Sequence, residues 1–284
     1  MAEVFEAPQF EVLPLADDLH FVVRNPGTGD DLATVRPVLV GQWQREEVSL
    51  FGRIRRFKPW APLPELCKHH VPRMVLQVAN GRNSPLFLLD RADKVIGHPV
   101  VPDSVVVAPD GGVAGHLTTD HDKECEPPGG PVDSDGMTQI RGRGHLRDRE
   151  YRVLCEVVTR VDLSLNPRLI DERSDVDMVR LVGGDGIIWA RMIGTGRALH
   201  CAPQAPRGLK MLLVAHMVAK AVDKQIYAAV SGGSPRLPEP LVSAGEPYRG
   251  YEDVHAPYMR YQDEFIPRYE AQRESRQRRA ASSV

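Results

Sequence analysis

The chain has 284 residues, 42% of them hydrophobic and 26% charged, with a formal net charge of -2. That composition belongs to one large globular domain or two modest ones, and its near-neutral balance excludes a global attraction for nucleic acid or anionic membrane. Four scattered cysteines in a chain this long exclude a disulfide framework, and aromatics at 6% leave the interior to aliphatic side chains.

The first residues, "MAEVFEAPQFEVLPLADD", carry acids where a secretory signal needs a basic region and an apolar run. No apolar run approaches the roughly 20 residues that span a bilayer. The expected setting is therefore intracellular, in the cytoplasm or in a virion if the protein is viral, with no membrane partner. "LHFVVRNPGTGDDLATVRPVLV" follows and reads as two strands joined by a loop from Asn25 to Asp31.

A helix is expected around "REEVSLFGRIRRF", which runs into the first basic patch, "FGRIRRFKPW". There Arg53, Arg55, Arg56 and Lys58 alternate with Phe51, Phe57 and Trp60. Arginine pairs bidentately with phosphate and aromatics stack on unpaired bases, so the patch is a candidate nucleic-acid contact. "ELCKHHVPRM" then places Cys67 beside His69 and His70, between Pro64 and Pro72, on a stretch short enough for one helical turn.

"PLFLLDRADKVIGHPVV" reads as a hairpin turning through Asp90 to Lys94. "SVVVAPDGGVAGHL" is another, because Pro109 presets φ and Gly111 accepts a left-handed conformation. Next, "GHLTTDHDKE" gathers His116, Asp120, His121, Asp122 and Glu124, a set able to bind a divalent ion and activate water. Cys67, His70, His121 and Cys125 together would offer the four ligands that zinc takes. The long interval between the two pairs argues against it, as does the acidic setting of the second. A nucleophilic Cys67 lacks an identifiable orienting group.

"RGRGHLRDREYR" forms the second basic patch, in which Arg141, Arg143 and Arg147 join the candidate nucleic-acid contacts. "YRVLCEVVTRVDLSL" alternates with period two, placing Tyr151, Val153, Cys155, Val157, Val161 and Leu163 on one face and Arg152, Glu156, Arg160 and Asp162 on the other. "VDMVRLVGGDGIIWARMI" predicts a hairpin through its glycines. The strongest helix spans about 208–230, with Leu209, Leu213, Met217 and Ala221 along its apolar stripe. The end, "RYEAQRESRQRRAASSV", reads as a charged, extended or helical tail.

The expected fold class is α+β: a predominantly antiparallel β body over 1–205, with a few helices, and a helical part and tail over 206–284, the two forming separate domains or one continuous domain. No dinucleotide fingerprint, phosphate loop, GxSxG or HExxH occurs. The expected function is a non-enzymatic structural or assembly subunit of a larger complex, for example a virus or phage coat or accessory protein, with other protein subunits as partners and no small-molecule substrate. The alternatives are an RNA- or DNA-binding module using the arginine–aromatic patches, and a metal-dependent hydrolase around His116 to Glu124. No cofactor is expected; zinc is the ion the Cys/His set would hold.

Overall fold

A computed structural model describes residues 3–15, 19–41, 44–47, 67–91, 94–95, 100–120, 132, 134, 137–140, 144–161, 177–193, 198–230 and 240–241. These form sixteen strands: β1 (Gln9–Pro14), β2 (Phe21–Arg24), β3 (Asp31–Val40), β4 (Gln44–Glu47), β5 (Cys67–Val71), β6 (Met74–Asn80), β7 (Pro85–Arg91), β8 (Lys94–Val95), β9 (Val100–Val107), β10 (Val113–Asp120), β11 (Thr138–Ile140), β12 (Gly144–Arg147), β13 (Val153–Val161), β14 (Asp177–Gly183), β15 (Ile188–Ile193) and β16 (Ala198–Cys201). One helix, α1 (Arg207–Val230), follows them.

Twelve strands pair antiparallel in the order β1-β2-β3-β6-β7-β9-β10-β12-β13-β14-β15-β16, and β16 pairs back onto β1. The result is a closed up-and-down barrel, in which an even number of alternating strands lets the last meet the first antiparallel. β11 pairs with the far end of β13 along the edge that β12 also takes, β14 holding the other edge, and β4, β5 and β8 form a separate small sheet. The α+β expectation is thus corrected: the fold is mostly β, a closed barrel with a single helix among the described residues.

The helix occupies the barrel's interior. It packs on both β1 and β10, which lie six places apart in the ring of twelve and so on opposite walls. Eight strands make a barrel that side chains alone can fill; twelve leave room for a helix about 10 Å across. Leu212, Leu213, Val214 and Ala215 are consecutive and all buried, so this part of α1 touches apolar neighbours all round. They share one continuous core with Phe10, Phe21, Val35, Leu76, Phe87, Val106, Leu117, Leu146, Cys155, Leu181 and Leu199 of the strands. At Gly115 helix and wall come close together, since a β-carbon there would meet Leu212 at 2.9 Å and the Arg147 carbonyl oxygen at 2.4 Å.

The two ends of the barrel differ. At one end the strands are joined by tight turns, at 25–30, 80–84, 108–112, 148–152 and 183–187. The chain before β1 closes this mouth: Val4, Phe5 and Ala7 are buried in the core, and Glu3 pairs with Arg207 at the start of α1. The other end receives every long connection: β3 to β6, β7 to β9, β10 to β12 and β13 to β14. There α1 emerges, showing Lys220, Asp223 and Lys224 to solvent, and Asp223 pairs with the buried Arg91 at the end of β7.

Several local expectations change. Arg45 to Glu47, expected in a helix, lie in β4, and Cys67 to His70 lie in β5 rather than in a helical turn. β7 and β8 do not form a hairpin: β8 pairs with β5, and β7 with β6 and β9. On β13, Cys155 is buried as expected, but Val153 is exposed and Arg160 is wholly buried. The hairpins β2–β3, β9–β10 and β14–β15 form as the turn chemistry predicts.

Candidate functional surface

With the lumen occupied by α1, chemistry has to be sought on the outer wall and at the two ends. Four turns at the tight-turn end share one hydrogen-bond pattern, in which the first residue's N–H donates to the fifth carbonyl and the fourth N–H donates to the first carbonyl. The fourth residue is left-handed in each: Asn83 (φ 59°), Gly111 (φ 86°), Tyr151 (φ 68°) and Gly186 (φ 81°). Glycine and asparagine adopt this conformation at little cost, whereas a bulky residue there is strained. Tyr151 is therefore the exception.

Its ring explains where it is held. It meets His116 edge-on with centroids 4.9 Å apart, and the Arg147 guanidinium carbon lies 4.6 Å from its centroid. His116 and Arg147 are cross-strand partners on β10 and β12. Arg147 donates from Nε to the Thr118 hydroxyl at 3.3 Å and from Nη1 to the Tyr151 carbonyl at 3.1 Å. The acids of the same turn are engaged elsewhere: Asp148 with Arg152, and Glu150 with Arg149 and Arg152. Burial raises the Asp148 pKa, but hydrogen bonds from the Arg152 backbone and side chain outweigh it, holding the carboxyl below its usual range.

Two residues singled out by sequence thus meet here, Arg147 and His116, together with Tyr151 and Thr118. His116 is buried at 1% exposure against the tyrosine, four positions from Asp120 on the same strand, or about 13 Å of extended chain. His121 and Glu124 lie outside the described residues. So do Arg53, Arg55, Arg56, Lys58, Trp60, Arg141, Arg143 and Cys125. Cys67 and His70 lie on β5, opposite Glu47 and Gln44 of β4, three positions apart in a period-two element. Among the described residues no group of three or more His, Cys, Asp or Glu is placed to hold a metal ion.

Cys155 and Cys201 are buried thiols. Burial, with Asp185 nearby, pushes the Cys155 thiol up to about 12; burial, despite Lys210, pushes Cys201 up to about 11. Both stay protonated near neutrality. A buried ion pair supports the wall close to the long-connection end, where Arg73 donates to both oxygens of the wholly buried Asp90, at 3.1 and 2.7 Å. Among the described residues no helix is long and apolar enough to cross a membrane.

The chain was compared with protein-family models, curated proteins and solved structures, and nothing matches it.

Proposed function

We propose that this chain is a non-enzymatic structural or assembly subunit, working through protein–protein contacts on the outside of its barrel. One observation carries the reading: the space that ligand-binding barrels keep open is filled here by the chain's own helix, in one continuous core with the walls. The surface then has to carry recognition. Exposed Val153 and Leu154 near one end give the wall apolar area to bury against a neighbour.

The test is the native size of the protein taken from its source, measured by sedimentation and native mass spectrometry. A stable assembly containing other polypeptides supports the reading. A monodisperse monomer at high concentration, with no larger particle containing it, contradicts it, as does a complex held only by nucleic acid and dissolved by nuclease or salt.

A further inference from the structure

We propose that the corner formed by Arg147 and Tyr151, together with Val153 and Leu154, is a docking site for a protein partner that presents a carboxylate beside aliphatic side chains. The proposal rests on the assembly reading above and names the surface that would serve it.

Charge gives the first argument. Arg147 is partly buried and has no carboxylate partner among the described residues, while Arg149 and Arg152 take the acids of its own turn. Thr118 and the Tyr151 carbonyl take Nε and Nη1. Nη2 and the second Nη1 hydrogen have no partner among the described residues, and the end of a guanidinium can donate to both oxygens of a carboxylate. The tyrosine ring and the threonine hold that guanidinium in place, so little side-chain freedom is left to lose on binding.

The surroundings give the second. Arg147 pairs across from Val153, 47% exposed, whose neighbour Leu154 is 38% exposed. Leu154 adjoins the core-facing Cys155 and so stands on the outer face, as Arg147 does through its pairing with His116. An arginine held against an aromatic ring and flanked by exposed aliphatics has the make-up of an interface hot spot.

The third is Tyr151 itself. Three sister turns put glycine or asparagine at the left-handed position, and this one keeps a tyrosine. Its ring lies against both Arg147 and the buried His116, so the left-handed position is occupied by a side chain that holds the arginine.

The experiment offers the full chain two capped peptide libraries, one with a fixed glutamate among randomised neighbours and one with glutamine in its place. The chain is expected to retain glutamate peptides rich in Leu, Ile and Val, with roughly tenfold or greater preference over glutamine. Retention should be lost in Arg147→Gln, reduced in Leu154→Ser and unchanged in Arg36→Gln, a distant exposed arginine bonded to Gln77. Tyr151→Gly keeps the turn but gives up the ring's contacts with His116 and Arg147, so it should lose the peptides while its circular dichroism stays that of the folded barrel. Equal retention of both libraries, or full retention by Arg147→Gln, overturns the proposal. So does self-association abolished by Val153→Asp, which would make a second copy the occupant, or binding of a single-stranded oligonucleotide in place of the peptides. If the native assembly forms unchanged with Arg147→Gln, the docking site fails and the assembly reading stands.

Discussion

Gly115 shows how little room separates the helix from the wall. A methyl group there would press on the Arg147 carbonyl oxygen, which belongs to backbone and cannot rotate aside, and on Leu212. Gly115→Ala should therefore lower unfolding stability by about 1–3 kcal/mol in urea titration, and Leu212→Ala in the same chain should recover only part of it. His216 reports on the interior in another way. Its Nε2 is shut off from solvent with no hydrogen-bond partner, and burial, followed by repulsion from Lys220, pushes its pKa down from 6.5 to about 3. The folded state keeps this ring neutral while the unfolded chain takes up a proton below pH 6.5, so stability falls as pH drops from 6.5 towards 3. His216→Gln should flatten the change in urea midpoint between pH 7 and 5; an unchanged slope would mean the ring is solvated. Neither residue announced its role in sequence. A glycine in a strand reads as a turn or bulge, and the histidine, four residues before Lys220 and eight before Lys224, reads as part of a polar face.

At the scale of elements, α1 is the piece whose two halves should behave differently. Leu213 is wholly buried among core residues, so Leu213→Ala should cost about 2–5 kcal/mol. Lys224 is exposed where the helix leaves the barrel, so Lys224→Ala should change stability by no more than about 0.5 kcal/mol. A helix lying on the outside of a sheet would instead tolerate substitutions along one whole face. Much of this level was legible. The helix bounds, the β2–β3, β9–β10 and β14–β15 hairpins and the buried Cys155 all follow from local period and turn chemistry. The missed hairpin at Asp90 to Lys94 shows the limit: its polar turn residues resemble the others, but β8 takes its partner from β5, more than twenty residues earlier. Arg45 to Glu47 look helical by composition, and pairing with β5 makes them a strand.

For the whole molecule, closure is the property that sequence did not convey. A period-two strand looks the same in an open sheet and in a barrel, and the seam that closes this one joins Gln9 to His200 from nearly opposite ends of the described chain. Expecting an α+β class followed from weighing several helices beside the β body, where the described residues hold one. In the structure α1 is the barrel's filling, and that placement turns attention from an internal cavity to the Arg147–Tyr151 corner. The corner was half legible. Arg147 and His116 were singled out for different chemistries, and only the β10–β12 register brings them together under the tyrosine.

Native-state hydrogen exchange of the full chain, followed amide by amide at increasing sub-denaturing urea, tests the enclosed helix most directly. If the barrel closes around α1, the amides of Leu212 to Val218 exchange only through global unfolding, with the same free energy and urea dependence as those of β1 and β10. Exchange of the helix at lower free energy and with a smaller urea dependence, while β1 and β10 stay protected, would mean that α1 leaves the barrel intact behind it and would contradict the account.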